Sequence, residues 1–307
     1  MTRSTNATTP SGTSAKLLVL LAGALLLLTR AAAAQEPADT PGAGALDAAL
    51  GASPSPSANP ARALLDEINH LDDTTRRWTD RTQRLKLLIV DGRGTERQRE
   101  LRMKTLKRDG GEDKTITVFF APPEVRGTSF LQFAHKDRDA EQWLWLPALN
   151  RVRQISAQSK NESFVGTDFS YRDLELLTDV FEWTEAEATS RLVGNEQIEG
   201  RDAAIIELEP KKKDVGYRRI RLAITTPDKV LRRMEFWAGQ GSAPKKLLHL
   251  DDIRDVNGIP TAFRLEMLQP AAGSRTLVEV LDVRYDQGLS EDEFTQRALE
   301  RGALDDE

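Results

Sequence analysis

The sequence contains no cysteine. This absence excludes disulfide bonds, thiolate metal sites, cysteine nucleophiles and an acylated lipoprotein cysteine. Histidine is also scarce, because His70, His135 and His249 are the only three and no two of them are close in sequence. A histidine-rich metal site is therefore not expected, although a site built from carboxylates stays open. We predict neither a bound metal nor a cofactor.

The common catalytic motifs are missing as well. The sequence has no G-x-S-x-G elbow, no G-x-x-x-x-G-K-[ST] phosphate loop, no G-x-G-x-x-G fingerprint and no H-E-x-x-H zinc motif. Lys and Arg number 43 against 48 Asp and Glu, for a net charge of −5. Because nucleic-acid affinity depends on clustered Lys and Arg, this balance argues against a nucleic-acid-binding protein. We predict a protein that is not an enzyme.

The first 59 residues have the composition of a targeting segment and a linker. Residues 17–28 are nearly all Leu, Val, Ala and Gly; they follow Lys16 and lead into an alanine run that ends at Ala34. This pattern is typical of a Sec signal peptide. An uncleaved membrane anchor fits less well, because about a dozen apolar residues are fewer than the roughly 20 needed to span a bilayer. We predict cleavage after Ala34 and, in a Gram-negative bacterium, a periplasmic protein. Residues 35–59 are rich in Ala, Pro, Gly and Ser and predict a disordered linker before one folded domain at 60–307.

The folded part begins with a helical pattern and continues with a strand pattern. From Pro60 to Asp73, leucine and isoleucine recur at steps of three and four residues. After that helix, short alternating runs are separated by turn signals such as Asp91-Gly92 and Asn257-Gly258. The runs predict on the order of a dozen antiparallel strands, at 85–90, 100–106, 115–120, 129–134, 142–146, 151–155, 191–197, 203–209, 218–225, 230–237, 245–252, 262–268 and 276–283.

A sheet of so many strands must curl, split or close, which predicts a half-barrel or a sandwich. Its strands alternate polar with apolar residues, so one face meets water and the other an apolar interior. Two further helices are predicted: one over 171–179 capped by Ser170, and one over 294–299 after the capping-box pair Ser290 and Glu293. About three helices leave the concave face to be filled by helices, side chains or a ligand.

The most informative segment spans residues 119–177. It contains F-F-A-P-P from residue 119, R-G-T-S-F-L from 126, W-L-W-L-P-A-L-N-R-V-R from 143 and S-F-V-G-T-D-F-S-Y-R-D-L from 163. In the predicted strand that begins the third of these motifs, Trp143 and Trp145 share one face and Leu144 and Leu146 share the other, so both faces are apolar. One face either packs beneath a helix or lines a ligand cavity. The aromatic residues of the following loop either plug the end of the sheet or form a movable lid.

These motifs resemble the outer-membrane lipoprotein-sorting protein family of exported bacterial proteins, which is similar to the periplasmic lipoprotein carrier LolA. The resemblance implies a mainly β (α+β) fold: a strongly curved antiparallel sheet that forms an incomplete β-barrel and is covered by about three helices. It also implies that acyl chains are held against the concave face and that an RND-type (MMPL-like) inner-membrane exporter is a partner. The lipoprotein carrier proper is shorter and lacks the W-L-P-A-L-x-R block, so the cargo can equally be a lipid or a hopanoid-like molecule.

On this resemblance we assign three groups of site residues. The lipid-binding cavity is predicted to be lined by Phe130, Phe133, Trp143 and Trp145. The lid over it is predicted to consist of Phe164, Phe169 and Tyr171. The contacts to an anionic headgroup or to a partner protein are predicted to be Arg151 and Arg153. We expect a monomer that touches the membrane transiently.

Two other classes of function stay open at this stage. A regulatory module of the same architecture would sense mislocalised lipoproteins and signal through a protein contact. An enzyme acting on glycan or lipid would need convergent carboxylates, for which Asp168, Asp173 and Glu175 are available. Asp168 and Ser170 also suit a turn and a helix cap.

Overall fold

The computed structural model describes residues 59–108, 112–136 and 138–301. It contains three α-helices, α1 (Pro60–Asp73), α2 (Tyr171–Asp179) and α3 (Gln296–Arg301). The strands are β1 (Asp80–Val90), β2 (Glu96–Leu106), β3 (Glu112–Ala121), β4 (Ser129–His135), β5 (Glu141–Leu146), β6 (Arg151–Gln154), β7 (Ala188–Ile198), β8 (Arg201–Pro210), β9 (Arg219–Thr225), β10 (Val230–Trp237), β11 (Lys246–Val256), β12 (Ile259–Gln269) and β13 (Ser274–Tyr285). The predicted signal peptide at 1–34, its cleavage after Ala34 and all but the last residue of the predicted linker at 35–59 lie outside the described residues.

All thirteen strands form one antiparallel sheet in the order β6-β5-β4-β3-β2-β1-β13-β12-β11-β10-β9-β8-β7. Except for β6 and β7, strands adjacent in sequence pair with each other, and β1 pairs with β13 in the middle of the sheet. The sheet is curved, and β6 and β7 are its two edges, so the barrel is not closed. The predicted half-barrel, with its three helices, is confirmed.

Helix α1 lies against the sheet through one apolar side. Asn59 caps it by accepting a hydrogen bond from the Ala61 backbone N–H, and Pro60 occupies the first turn, where a missing N–H costs nothing. Ala61, Leu65 and Ile68 are buried. None of the helices in the described part of the chain is long and apolar enough to cross a membrane.

The face of the sheet that α1 and α2 cover is called the inner face. Strands from both halves of the sheet contribute to its buried apolar cluster, together with α1, α2 and the residues between β6 and α2. The contributions include Leu101, Phe119, Phe130, Leu144, Leu222, Phe236 and Met267. The inner face is therefore a packed apolar interior that the helices and the 163–170 segment fill.

A second, smaller apolar cluster lies on the opposite, outer face. Leu299 of α3 and Phe294, which lies two residues before α3, pack there with Leu131 and Trp143. The predicted capping box is present, but it caps a single 3-10 turn at Glu291–Glu293, and the α-helix begins two residues later than predicted. Helix α3 thus covers the outer face of β4 and β5.

Candidate functional site

The four residues predicted to line one cavity do not share a face of the sheet. Phe130 packs in the inner cluster, whereas Trp143, with Phe133 and Trp145 against it, packs in the outer cluster beneath α3. The cause is strand alternation, since Phe130 pairs with Leu144 and Leu131 pairs with Trp143. The expectation that the tryptophans face the same interior as Phe130 therefore needs correction. Lipid binding by any of these side chains stays a prediction.

Two of the three residues predicted to form a lid, Phe164 and Tyr171, contact Phe130. The Phe164 ring lies 5.1 Å from Phe130 and 5.5 Å from Tyr171, and Tyr171 lies 5.7 Å from Phe130, all between ring centroids. Phe169 is 5% exposed and belongs to the same inner cluster. We call residues 163–170 the lid loop. It inserts its aromatic side chains into the inner face.

A buried carboxylate fastens the lid loop to the middle of the sheet. Asp168 is 4% exposed. It accepts hydrogen bonds from Gln269 Nε2 at 2.8 Å, from Thr276 Oγ1 at 2.7 Å and from the Ser274 hydroxyl. Its backbone N–H also donates to Thr276 Oγ1 at 2.9 Å. The lid loop therefore reaches from the β6 edge to the β12–β13 hairpin in the middle of the sheet.

The backbone of the lid loop is strained at its tip. Val165 has a φ of 47° and Gly166 a φ of 73°. Glycine accepts this left-handed conformation, whereas a β-branched residue in it costs about 1–3 kcal/mol. The Arg99 side chain donates a hydrogen bond to the Val165 carbonyl and so holds the tip on β2. The loop thus combines polar contacts with local backbone strain.

Helix α2 carries a buried acid that links it to the second half of the sheet. The predicted cap is confirmed: Ser170 and Asp173 form a reciprocal capping box. Asp173, which is fully buried, also accepts hydrogen bonds from Tyr217 Oη and Lys246 Nζ, each at 2.6 Å. Burial, together with the neighbouring Asp173 carboxylate, raises the pKa of the Tyr217 hydroxyl, which remains protonated as the donor.

A second group of buried charges joins α2 to the first half of the sheet. Lys160 Nζ donates to the Ala140 carbonyl at 2.7 Å and to the Glu175 carboxylate. Arg172 donates to Glu175 and lies 3.9 Å from Asp139 and 3.8 Å from Asp214. Burial raises the pKa of Glu175, and Lys160 and Arg172 partly oppose that rise. Because Asp139 precedes β5 and Asp214 follows β8, α2 ties together the two halves of the open barrel.

The three carboxylates considered for an enzyme are all engaged in these structural contacts. Asp168 fastens the lid loop, Asp173 caps and anchors α2, and Glu175 holds Lys160 and Arg172. Each is at most 4% exposed. No group of three or more His, Asp and Glu side chains in the described ranges could hold a metal ion.

Arg151 and Arg153 lie on the short edge strand β6 and are exposed. With Leu146 and Leu149 they line a cavity of about 380 Å³. Leu149 is 67% exposed and Leu146 packs against the inner cluster, so this edge cavity has an apolar floor and a basic rim. The two arginines predicted to meet a headgroup are therefore adjacent to the inner face at the open edge of the barrel.

Sequence reasoning missed the polar residues that hold the lid loop and α2. Gln269, Ser274 and Thr276 meet Asp168 across more than 100 residues of sequence, and Lys246 meets Asp173 across 73. No local motif marks such contacts. His135, the last residue of β4, has a side chain that is 6% exposed and lies between Glu112 and Glu141.

Asp179, at the end of α2, gives the site a pH dependence. Burial, with Glu175 and Glu182 nearby, raises its pKa from 3.8 to about 7. Between these two pH values Asp179 keeps its proton in the folded protein but has lost it in the unfolded chain. The contribution of Asp179 to the free energy of unfolding therefore falls as pH rises from 4 to 7 and is constant above pH 7. Asp179→Asn removes this penalty. We expect it to raise the free energy of unfolding by about 1–2 kcal/mol at pH 8 and by almost nothing at pH 4.

Urea denaturation at both pH values measures this difference, and the exposed Asp282→Asn is the control. The same stabilisation at pH 4 and pH 8 would show that proton release from Asp179 is not the cause.

Comparisons with known proteins agree with this geometry. A family model described as "Uncharacterized protein" matches residues 111–301. An outer membrane lipoprotein-sorting protein domain from Vibrio parahaemolyticus aligns with 78% of this chain and 98% of its own, at 26% identity and a TM-score of 0.71. A DUF1329 family protein from Desulfovibrio piger aligns with 78% of this chain and 99% of its own, at 28% identity and a TM-score of 0.71.

A LolA superfamily protein from Nitrosomonas europaea shares the fold, with a TM-score of 0.58 and 15% identity over 78% of this chain and 98% of its own. A search of curated proteins finds no match. The family model covers more than half of the 307 residues. The chain therefore belongs to the family that this model describes, and its curved, unclosed sheet of thirteen strands with three helices is the LolA-like fold of the outer membrane lipoprotein-sorting and DUF1329 proteins that it resembles.

Proposed function

We propose that this protein is a non-enzymatic periplasmic carrier that binds the acyl chains of a lipoprotein or lipid against the inner face and moves them toward the outer membrane. The observation that carries the proposal is the lid loop, whose aromatic side chains fill the apolar interior of a LolA-like half-barrel. An RND-type inner-membrane exporter is the partner we propose for loading.

The closed lid explains how such a carrier can release its cargo. A single chain of about 16 carbons gains roughly 10 kcal/mol on leaving water. A permanently open cavity would hold such a chain too tightly for transfer. Here Phe164, Phe169 and Tyr171 already occupy the inner face, so cargo must displace them, and the net affinity falls by the free energy of opening. Strain at Val165 lowers that opening cost.

We infer that the headgroup of the cargo lies at the edge cavity. An acyl chain that enters beside β6 passes Leu146 and Leu149 and leaves its polar end at the rim formed by Arg151 and Arg153. Arginine forks suit carboxylate and phosphate groups. We propose that these two arginines contact an anionic headgroup or the partner that delivers it.

The first test is native mass spectrometry of the mature chain from Gln35, purified from periplasm without detergent. A bound lipid or acylated peptide in stoichiometric amount is the expected result, and its mass names the cargo. A protein that carries nothing and takes up no fluorescent fatty acid would instead support the regulatory module, which binds a protein partner through the same fold.

The second test locates the cargo. A fatty acid with a diazirine at its end is expected to crosslink to inner-face residues, above all Phe130, Leu144 and Phe164. Trp143 and Phe294 on the outer face are the internal control, because Trp143 is adjacent to Leu144 in sequence and faces α3. Mass spectrometry of the crosslinked peptides distinguishes the two faces. Labelling confined to the outer face would overturn the inner-face site.

A further inference from the structure

A basic pocket lies at the end of the sheet remote from the anchor of the lid loop. It has a volume of about 340 Å³, and its lining includes Arg76, Arg201, Asp228, Arg232, Arg254 and Asp255. The hairpin turns β7–β8, β9–β10 and β11–β12 all fall at this end of the meander, next to the segment that follows α1. Pro260 of β12 lines the pocket, whereas Gln269 at the other end of β12 holds Asp168.

The lining holds four arginines but only two acids, Asp228 and Asp255. Asp228 forms ion pairs with Arg201 and Arg232, and its carboxylate also accepts a hydrogen bond from the Thr225 hydroxyl. Asp255 accepts from the Gly258 backbone N–H at 3.0 Å and thereby stabilises its own turn. Arg232 and Arg254 have further partners in Glu199 and Asp252, which are 60% and 45% exposed and can turn into solvent.

Arg232 adds a buried positive charge to the lining of this pocket. Its side chain is 5% exposed, and its Nε has no hydrogen-bond partner among the described residues. A buried guanidinium N–H without an acceptor costs free energy. An oxyanion in the pocket would accept from the half-exposed guanidinium groups of Arg201 and Arg254, beside the buried positive charge of Arg232. Phosphate suits this arrangement, because it offers more acceptor oxygens than a carboxylate and guanidinium groups bind it bidentately.

We propose that the basic pocket binds a phosphate group, carried either by a small soluble molecule or by a lipid headgroup. The site is separate from the inner face and the edge cavity. It therefore stands whether or not the protein carries acyl chains.

Calorimetric titration of the mature chain with inorganic phosphate and with glycerol 1-phosphate, at constant ionic strength set by NaCl, tests this site. We expect saturable binding that the double variant Arg201→Gln/Arg254→Gln weakens at least tenfold. Both side chains are half or more exposed, so the fold is retained, which a thermal melt verifies. Arg284→Gln is the matched control, because Arg284 pairs with an aspartate two residues earlier on its strand, as Arg254 does, and lies outside the pocket lining.

Co-sedimentation with vesicles containing phosphatidic acid distinguishes the two sources of phosphate. Vesicle binding that inorganic phosphate displaces and that the double variant loses indicates a lipid headgroup. Binding of the soluble phosphates without vesicle binding indicates a small molecule. The proposal is overturned if no phosphate compound binds saturably, or if Arg284→Gln weakens binding as much as the double variant does.

Discussion

Replacing Asp173 by alanine is expected to lower the free energy of unfolding by about 3–5 kcal/mol. Asp173 is fully buried and is the ion-pair partner of Lys246, whose side chain is 6% exposed. Its removal leaves a buried ammonium without a counter-charge and the Tyr217 hydroxyl without its acceptor, and it breaks the capping box of α2. The first two of these losses remove contacts between α2 and the second half of the sheet, and the third weakens the start of the helix itself. Urea denaturation at pH 7 measures the effect.

Two variants separate the buried charge from the other losses. Asp173→Ala/Lys246→Met removes both charges, and we expect it to recover a large part of the stability lost by the single variant. Asp66→Ala is the matched control, since Asp66 is a helical acid paired with Arg62 at 2.6 Å but 56% exposed. It is expected to cost less than about 1 kcal/mol. Equal losses for Asp173→Ala and Asp66→Ala would contradict a special role for the buried pair.

The architecture could be predicted because its signals are local. Each strand carries its own alternation and turn residues, so all thirteen predicted runs overlap an observed strand. The cap of α2 at Ser170 is equally local. Some strands are longer than predicted: β1 spans Asp80–Val90, whereas the sequence predicts 85–90. The polar residues that extend the pairing, such as Asp80 and Arg81, carry no strand signal of their own.

The site could be predicted only in part, since strand alternation does not say which face is the inner one. Trp143 and Leu144 are both apolar, and the helix that covers each face comes from a different part of the chain. Grouping Phe130 with Trp143 ignored the register between β4 and β5, which opposes Phe130 to Leu144. Contacts such as Asp168 to Thr276 are set by the curvature of the whole sheet, so no short segment encodes them.

Releasing the lid loop is expected to strengthen cargo binding. Asp168→Ala removes three hydrogen bonds to a buried carboxylate. A hydrogen bond to a charged group is worth about 1.5–3 kcal/mol. Part of that loss falls on the closed loop alone, because the cargo-bound state has already given up these contacts. We therefore expect the apparent Kd for a fluorescent fatty acid to fall at least tenfold, while the free energy of unfolding drops by about 2–4 kcal/mol. Binding improves although the protein becomes less stable, which a purely structural role does not predict.

Hydrogen exchange of residues 163–170 shows whether the variant opens the loop. The control is Asp282→Ala, on β13, the strand that also carries the Asp168 partner Thr276. Asp282 is exposed and contacts Arg284, not the lid loop, so its removal should change neither exchange nor affinity. Faster exchange in Asp168→Ala with an unchanged Kd would mean that the loop and the acyl chain do not compete. The inner face would then be a permanent core held by α1 and α2, and the lid would have no part in releasing cargo.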